Sequence, residues 1–443
     1  MSTLTYAVPS AAATPASAQH AAHDGELSPG DISVGVIIGR SSEYFDFFVF
    51  GIAAVLVFPA VFFPHFSALH GTLLSFAIFS LAFVTRPVGT ALSMAIQRRW
   101  GRAAKMTIAL FTLGAATVGI AFLPGYADLG LGAVAWLVAL RLLQGLALGA
   151  SWDGLPSLLA LSAPSEKRGW YAMLGQLGAP LGFLIAAGLF AYLYASLPES
   201  EFIAWGWRFP FFVAFAVNVV ALFARLQLVL GQSYTEAMQE LELKPVSVTR
   251  LIDEEGEHVA LGAFAALASF ALFHLVTVFP LSWLTLYGEQ SVVHVLLVQM
   301  LGAACATLAI AVSGSLADRL GRRNTLGGMA ILIGLFSLFT PMLLNGGAVG
   351  SDIFIILGFI LLGLSYGQSS GTVTANFSPG YRYTGAALSA DMAWLIGAAF
   401  APLVALGLSA KFGLWATALY LLSGALCTLA ALGINRALES RQD

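Results

Sequence analysis

The sequence has few charged residues, and this shortage indicates the solvent in which the chain folds. Only 10% of its 443 residues are Asp, Glu, Lys or Arg, whereas 58% are hydrophobic. The mean hydropathy is +0.85. Soluble domains typically carry about 25% charged residues. The composition therefore excludes a water-soluble globule and predicts a protein of the lipid bilayer.

Cysteine is also scarce, which excludes a disulfide framework. The two cysteines, Cys305 and Cys427, fall inside apolar runs, where we expect small buried side chains. His20 and His23 lack the further ligands of a metal site. Because no nucleophile–base constellation stands out, we expect neither an enzyme nor a cofactor. The net charge of −3 does not indicate a nucleic-acid partner.

Short segments of alternating polarity, which are typical of membrane barrels, are missing as well. Long apolar runs are present instead, and about 20 such residues in a helix span the roughly 30 Å of hydrocarbon. The runs predict an all-α polytopic membrane protein with about twelve helices. These centre near residues 46, 81, 114, 146, 183, 218, 272, 303, 335, 363, 396 and 424.

The longest polar connection divides these helices into two groups of about six. We predict a disordered cytoplasmic tail at 1–31, six-helix bundles at 32–230 and 258–436, a cytoplasmic linker at 231–257, and a tail at 437–443. The first thirty or so residues have neither the basic nor the apolar region of a signal peptide. Their Ala-, Ser- and Pro-rich composition favours disorder.

Lys and Arg follow every second predicted helix, and such residues accumulate in cytoplasmic loops. They are Arg98, Arg99, Arg102 and Lys105; Lys167 and Arg168; Lys244 and Arg250; Arg319, Arg322 and Arg323; and Arg382. Both termini are therefore predicted to be cytoplasmic.

A basic hairpin occurs twice in the chain, and its two copies differ. The downstream copy runs from Ser313 to Arg323 and contains Asp318, whereas the upstream copy runs from Ser93 to Arg102 with Arg98 at the equivalent position. A repeated turn of this kind between hydrophobic helices is typical of a duplicated transporter. The difference suggests that the two halves do not switch in the same way.

Ionisable residues inside apolar helices are functional candidates because burying a charge in hydrocarbon is costly. In the first helix, Arg40, Glu43 and Asp46 fall within an arc of about 120°. Arg141 of the fourth helix lies at the same depth as Asp46, so we predict an Asp46–Arg141 pair. Together with Glu43, this pair would couple proton entry to transport. A permanent structural bridge is the alternative.

Several motifs, taken together and in order, resemble those of the metabolite:proton symporters of the major facilitator superfamily. They are Glu43-Tyr-Phe-Asp46-Phe, Arg86-Pro87-x-Gly89, Arg141-x-x-Gln144-Gly145, Ala163-Pro164 followed by Arg168-Gly169, Trp205-Gly-Trp-Arg208-x-Pro210-Phe, and Arg382-Tyr-Thr-Gly385. The resemblance implies two six-helix halves around a central cavity. It also implies a bacterial inner-membrane protein that imports small organic acids, zwitterionic osmolytes or related metabolites with protons.

The sequence departs from that family at several positions. Arg98 replaces the Asp of the first basic loop, Ser151 replaces a Glu, and Asp391 replaces an Asn. In the family, the Asp of the first basic loop helps to hold the cytoplasmic side closed. Arg40 and Asp153 are also unusual, and we hypothesise that they pair and take over part of that role. The predicted gating residues are Arg40, Asp153, Arg98, Arg102, Asp318, Arg319 and Arg322.

A few polar groups among aromatic residues are typical of a small-ligand cavity. The predicted substrate-binding residues are Arg40, Tyr44, Arg86, Arg141, Gln144, Gln176, His274, Tyr366, Asn376, Asp391 and Trp394. For His274 the alternative is a satisfied core histidine, and for Asp391 a helix-to-helix hydrogen bond. Asn218 and Gln299 are interpreted as helix-packing groups.

The expected function is proton-coupled import of a small carboxylate by a monomer in the bilayer. A carboxylate is favoured because Arg40, Arg86 and Arg141 can present positive charge in the N-terminal half. One alternative is a proton-coupled exporter, suggested by Gly178-Ala-Pro180-Leu-Gly182. Another is a sensor that binds substrate without transporting it.

Overall fold

The computed structural model describes residues 29–288, 290–369 and 377–434, and within these ranges all regular structure is helical. Most of the predicted N-terminal tail, including His20 and His23, lies outside the described residues. So do the predicted C-terminal tail, the last two residues of the C-terminal bundle and Asn376. Helix α1 begins at Pro29, inside the last residues of the predicted N-terminal tail.

The longer helices alternate with short helical turns. We label the longer ones α1 (Pro29–Leu56), α2 (Ala68–Phe122), α3 (Leu131–Ala150), α4 (Gly178–Ser196), α5 (Phe209–Val229), α6 (Val248–Ala265), α7 (Leu267–Thr277), α8 (Phe279–Tyr287), α9 (Val292–Leu320), α10 (Arg322–Leu344), α11 (Gly347–Tyr366), α12 (Arg382–Ala393), α13 (Ala401–Phe412) and α14 (Trp415–Ile434). The shorter ones are Phe58–Phe62, Tyr126–Leu129, Leu155–Leu161, Ser165–Lys167, Arg168–Leu174, Gly175–Leu177, Glu199–Ala204, Gly206–Arg208, Gln232–Glu240, Pro379–Tyr381 and Trp394–Ala398.

In the described part of the chain, ten helical segments are long and apolar enough to cross a membrane. Helix α1 is not among them because it carries Arg40, Glu43 and Asp46. Helix α2 has 55 residues, which is about 80 Å of helix and more than twice the thickness of the hydrocarbon. Its backbone leaves the helical conformation at Gly101, so it supplies two crossings. Every predicted helix centre lies in a described helical segment, which confirms the all-α architecture.

The two basic hairpins turn on equivalent glycines at the same end of the bundle, which we call the basic end. Gly101 and Gly321 have φ angles of 84° and 80°, a region that side chains with a Cβ rarely adopt. The packing repeats as well. Helix α1 packs against α4 and α5 in the first half. In the second half, α7 packs against the equivalent segments, which are Trp394–Ala398 with α13, and α14. The fold is therefore duplicated, as the repeated hairpin predicts.

Glycines set the close approach of α2 and α3. A Cβ built on Gly149 would lie 1.9 Å from the carbonyl oxygen of Arg86, and one on Gly145 would lie 2.2 Å from that of Ala82. Neither backbone oxygen can move aside as a flexible side chain can. Packing accounts for this small-residue row, as the sequence indicates.

Two further segments bear on the sequence predictions. The helix Gln232–Glu240 and the first part of α6 occupy most of the predicted linker, and the Ser247 side chain caps α6 by accepting from the Arg250 amide. Cys305 is half-buried and Cys427 is exposed. The expectation of a buried Cys427 is wrong because this face of α14 points out of the bundle.

Candidate functional site

A small cavity lies between the two halves. Six of the predicted substrate-binding residues line it: Arg40, Tyr44, Arg86, Gln176, Tyr366 and Trp394. Trp152 and Phe270 add aromatic surface. Its volume is about 50 Å³, which holds water but is well below the roughly 300–1,000 Å³ of a typical ligand pocket. The structure is therefore a closed conformation, and an organic ligand requires the wall to move.

Contacts between the halves close both sides of this cavity. At the basic end, the Asp318 carboxylate accepts hydrogen bonds from the backbone amides of Gly169 (2.6 Å) and Trp170 (3.1 Å). Away from that end, the Ser80 hydroxyl donates to the carbonyl oxygen of Ala399 at 2.7 Å. Arg98, the counterpart of Asp318, is exposed. The two hairpins thus differ in structure as they do in sequence.

A buried charged cluster joins α1, α5 and the segment after α3. Arg225 contacts Glu43 (2.6 Å) and Asp153 (2.8 Å), and Arg40 contacts Glu43 at 3.0 Å. The Ser151 hydroxyl also donates to Glu43, at 3.0 Å. Two cations and two carboxylates make the cluster neutral, which a buried site requires.

This cluster corrects the hypothesis of an Arg40–Asp153 pair. Asp153 binds Arg225, while Arg40 binds Glu43. Sequence reasoning missed Arg225, although a cation inside the apolar run of α5 is itself a signal. Because Arg40 can neutralise only one of the two carboxylates, Glu43 and Asp153, a second cation was required.

Asp46 lies in a network of neutral donors rather than in the predicted pair with Arg141. Its carboxylate accepts from Thr117 (2.6 Å), from the Asn218 amide (2.7 Å) and from the Gln144 amide (3.3 Å). Arg141 donates to the carbonyl oxygen of Phe79 and to Gln144 Oε1 at 3.0 Å. Gln144 therefore links the two charged groups, and no direct pair forms among these described residues.

The environment of Arg141 explains why it does not need a direct carboxylate contact. Its guanidinium carbon lies 3.9 Å from the ring centre of Phe50 and 5.0 Å from that of Phe79. Such faces attract a cation, and more strongly where water is excluded. The rotation of α3 thus gives Arg141 an aromatic cage and places Gln144 toward Asp46. Asn218 also does more than the helix packing expected from the sequence, since it binds Asp46.

One buried ion pair crosses between the halves. Arg86 Nε of α2 donates to Asp391 Oδ1 of α12 at 2.6 Å. Thr90 donates to the other carboxylate oxygen. The guanidinium carbon of Arg86 lies 5.9 Å from the Trp394 ring centre. Glu43 and Asp391 are thus each bound directly to an arginine of the cavity wall, whereas Asp46 is not.

Other predicted residues pair with each other across the same interface. The Tyr44 and Tyr366 hydroxyls are hydrogen-bonded, and the Gln176 amide donates to Ser369 at 3.2 Å. In the closed conformation the polar groups of the two walls therefore satisfy one another, and a ligand must replace these contacts.

His274 is a core residue that does not line this cavity. Its ring stacks on Phe47 at 5.2 Å, and Nδ1 lies 3.3 Å from the Thr277 hydroxyl. Nε2 has no hydrogen-bond partner among the described residues. His274 is thus a buried core histidine, as the alternative interpretation expected, but only one of its two ring nitrogens has a hydrogen-bond partner among the described residues.

A second contact between the halves at the basic end was not anticipated. The Lys105 ammonium is fully buried, and it donates to the Tyr383 hydroxyl at 2.9 Å and to the carbonyl oxygen of Trp152. Tyr383 donates in turn to Gln97 Oε1 at 3.0 Å. The sequence indicated Lys105 only as a loop cation. Among the other predicted gates, Arg102 lies over the Tyr234 ring at 4.6 Å, Arg319 is exposed and Arg322 is half-buried.

Comparisons with known proteins agree with this architecture. A family model described as Major Facilitator Superfamily matches residues 44–402. The "Inner membrane metabolite transport protein YhjE" of Escherichia coli (strain K12) is 35% identical over 93% of this chain and 96% of its own length. The "Shikimate transporter" of the same organism is 30% identical over 89% and 91%. Among solved structures, the "proton:xylose symporter XylE bound to 6-bromo-6-deoxy-D-glucose" has a TM-score of 0.67 at 18% identity, covering 90% of this chain and 94% of its own.

Proposed function

This chain belongs to the major facilitator superfamily, and we propose that it is a proton-coupled symporter that imports a small organic acid. As a member of that family it is a multi-pass membrane transporter and not an enzyme. The proposed location is a bacterial inner membrane, with the basic end in the cytoplasm because Lys and Arg accumulate there.

The closed cavity with Arg40 and Arg86 in its wall carries the proposal. A guanidinium group binds a carboxylate through charge-assisted hydrogen bonds. The aromatic wall formed by Tyr44, Trp152 and Trp394 suits a compact apolar or ring-shaped body. A relative named for shikimate, which is itself a carboxylic acid, supports this substrate class.

Asp46 is the proposed proton-coupling carboxylate, assisted by Glu43 on the same helix and by Arg141, to which Gln144 links it. It joins α1 to α2, α3 and α5 through Thr117, Gln144 and Asn218. Protonation turns an acceptor for these donors into a neutral acid, which alters the packing of four helix segments at once. A carboxylate in such a position can connect proton occupancy to helix movement.

Transport in proteoliposomes tests this function. A thermal-shift panel of organic acids first identifies one that stabilises the purified protein. Uptake of that acid should then exceed its equilibrium level when the outside is acidic. Asp46→Asn should abolish uphill uptake while leaving counterflow exchange. Uphill uptake that persists in the Asn variant contradicts the assignment of Asp46, and binding without any flux supports the sensor alternative.

The exporter alternative gains no support from its suggestive glycines. A Cβ on Gly178 would lie 2.4 Å from that of Arg40, and one on Gly182 would lie 2.7 Å from the amide nitrogen of Phe45. Close packing of α4 on α1 accounts for both residues. The direction of proton movement in vesicles separates import from export.

A further inference from the structure

We propose that Asp391 is a second proton-binding site, occupied when a substrate carboxylate takes its place on Arg86. The substrate carboxylate accepts the guanidinium hydrogen bonds, and the displaced Asp391 side chain takes up one proton from the bulk solution and becomes a neutral acid. The reverse sequence on substrate release returns that proton and re-forms the ion pair. This inference rests on the proposed function, namely that the substrate is an organic acid.

The ion pair itself is placed where a substrate would compete. Arg86 lines the cavity, and its side chain is 15% exposed whereas that of Asp391 is 4% exposed. The contact uses Nε of the guanidinium group. A carboxylate that enters from the cavity therefore competes with Asp391 for this guanidinium group.

The hydroxyl of Thr90 shows that the site suits a protonated Asp391. Thr90 Oγ1 lies within hydrogen-bond distance of two acceptors, the carbonyl oxygen of Gly149 (3.0 Å) and the Asp391 carboxylate. A hydroxyl has one proton, so it can serve only one of them while Asp391 is ionised. A protonated Asp391 donates to Thr90, and Thr90 can then donate to Gly149. Protonation thus satisfies both contacts.

Charge balance gives the same result. Arg40, Arg86 and Arg225 are matched in the closed state by Glu43, Asp153 and Asp391. An incoming carboxylate adds one negative charge to this buried group. Because uncompensated buried charge is strongly unfavourable, one proton on Asp391 restores neutrality. Glu43 and Asp153 each keep an arginine partner of their own, whereas Asp391 loses its partner.

Among the titratable and charged groups around Asp391, only Arg86 contacts it directly in the described residues. Displacement of Arg86 therefore acts on Asp391 first. Arg86 approaches from α2, and Arg40 and Glu43 lie farther along the cavity wall on α1. Gly262 of α6 and Ala266, which follows that helix, line the cavity, while Glu254 and Glu255 of α6 bind Tyr381 and Ser378 near the start of α12. That is about 15 Å along the helix from Asp391. From α7, His274 lies 6.0 Å from the Trp394 ring.

Asp46 differs from Asp391 in its partners. Thr117, Asn218 and Gln144 all point donors at Asp46, an arrangement that suits the ionised carboxylate in this conformation. The two sites therefore separate two events. Asp391 responds to occupancy of the cavity, and Asp46 responds to the conformational change.

Proton uptake on binding tests the inference directly. Shikimate, benzoate, lactate and citrate are each titrated into purified, weakly buffered protein while a pH indicator records proton uptake. For an acid that binds, we expect about one proton taken up per molecule, with Kd rising up to tenfold per pH unit where Asp391 is ionised. In Asp391→Asn, binding should occur without that proton, and Kd should be flat across neutral pH. Asp391→Ser provides a second variant, and both are checked for monodispersity.

A matched control variant makes the outcomes separable. Asp352→Asn makes the same chemical change at a carboxylate that contacts His294, outside the residues that line this cavity, and should keep the wild-type proton uptake. Unchanged proton uptake in both Asp391 variants overturns this inference alone. Failure of all four acids to bind contradicts the proposed function together with it.

Discussion

At the scale of single residues, Arg225 determines how the charged cluster is satisfied. It contacts both Glu43 and Asp153, and its side chain is only 5% exposed. A buried cation that serves two carboxylates cannot be removed without leaving a carboxylate that lacks its charged partner. Arg225 is thus a structural requirement of the N-terminal half, and Arg40 remains available to the cavity.

Replacing Arg225 should therefore be strongly destabilising. Arg225→Gln is expected to lower the free energy of unfolding by about 3–5 kcal/mol, since it breaks a buried pair from one side. Denaturation in detergent provides the measurement, with exposed Arg98→Gln as the control, expected to change stability by less than about 0.5 kcal/mol. Adding Asp153→Asn to Arg225→Gln should recover part of the loss. Equal stability of the Arg225 and Arg98 variants would show that the cluster does not depend on Arg225.

At the scale of helices, the contact between α2 and α3 fixes the site. Arg86 and Thr90 lie on α2 opposite Gly149, and a Cβ at Gly149 would meet the Arg86 carbonyl oxygen at 1.9 Å. The same face of α2 reaches Asp391. The separation of these two helices thus controls the position of the ion pair between the halves.

Gly149→Ala should separate these helices. We expect a loss of about 1–3 kcal/mol or more in the free energy of unfolding because the obstructing atom belongs to the backbone. Gly328→Ala is the matched control, because a Cβ there would have nothing within 4 Å, and it should stabilise by up to about 1 kcal/mol through helix propensity. Thermal unfolding of both variants measures the difference. A Gly149→Ala protein as stable as the control would show that α2 and α3 separate without cost.

At the scale of the whole molecule, two unlike contacts close the basic end. Asp318 of the downstream hairpin accepts hydrogen bonds from the backbone amides at the start of the helix Arg168–Leu174. In the other half, Lys105 and Gln97 hold Tyr383 of α12. The N-terminal half thus has Arg98 where the C-terminal half has Asp318, and a buried ammonium group makes its contact instead.

Weakening this second contact should shift the molecule toward a state open at the basic end. Tyr383→Phe removes the hydroxyl that Lys105 and Gln97 bind, a loss of about 1.5–3 kcal/mol for a charge-assisted hydrogen bond. This corresponds to a population shift of about tenfold or more. Labelling of Ser157→Cys in the cavity wall, with Cys305 and Cys427 replaced by Ala, measures the opening.

A matched variant controls for the loss of a hydroxyl. Tyr381→Phe removes one that donates to Glu254 of α6 and makes no contact with the N-terminal bundle in the described hydrogen bonds, so it should leave the labelling rate near that of the parent. If Tyr383→Phe labels no faster than Tyr381→Phe, the Lys105 contact does not hold the basic end closed.

The sequence by itself determined the solvent, the approximate positions of the apolar helices, the duplication and six of the residues in the cavity wall. These follow from local patterns: the length of each apolar run, the recurrence of the hairpin, and charges or aromatics inside hydrophobic helices. Arg40, Arg86, Tyr44, Tyr366 and Trp394 were all found in this way. No tertiary information is needed to recognise that a charged side chain inside an apolar helix is costly in hydrocarbon.

Only the tertiary structure decided which of those groups bind each other. A shift of one residue turns a helical side chain by about 100°, so depth alone placed Asp46 beside Arg141 while the structure puts Gln144 between them. Arg225, Lys105 and Tyr383 acquire their roles from helices that are distant in sequence. Partnership in a buried site depends on the rotation and convergence of several helices, and hydropathy contains no information about either.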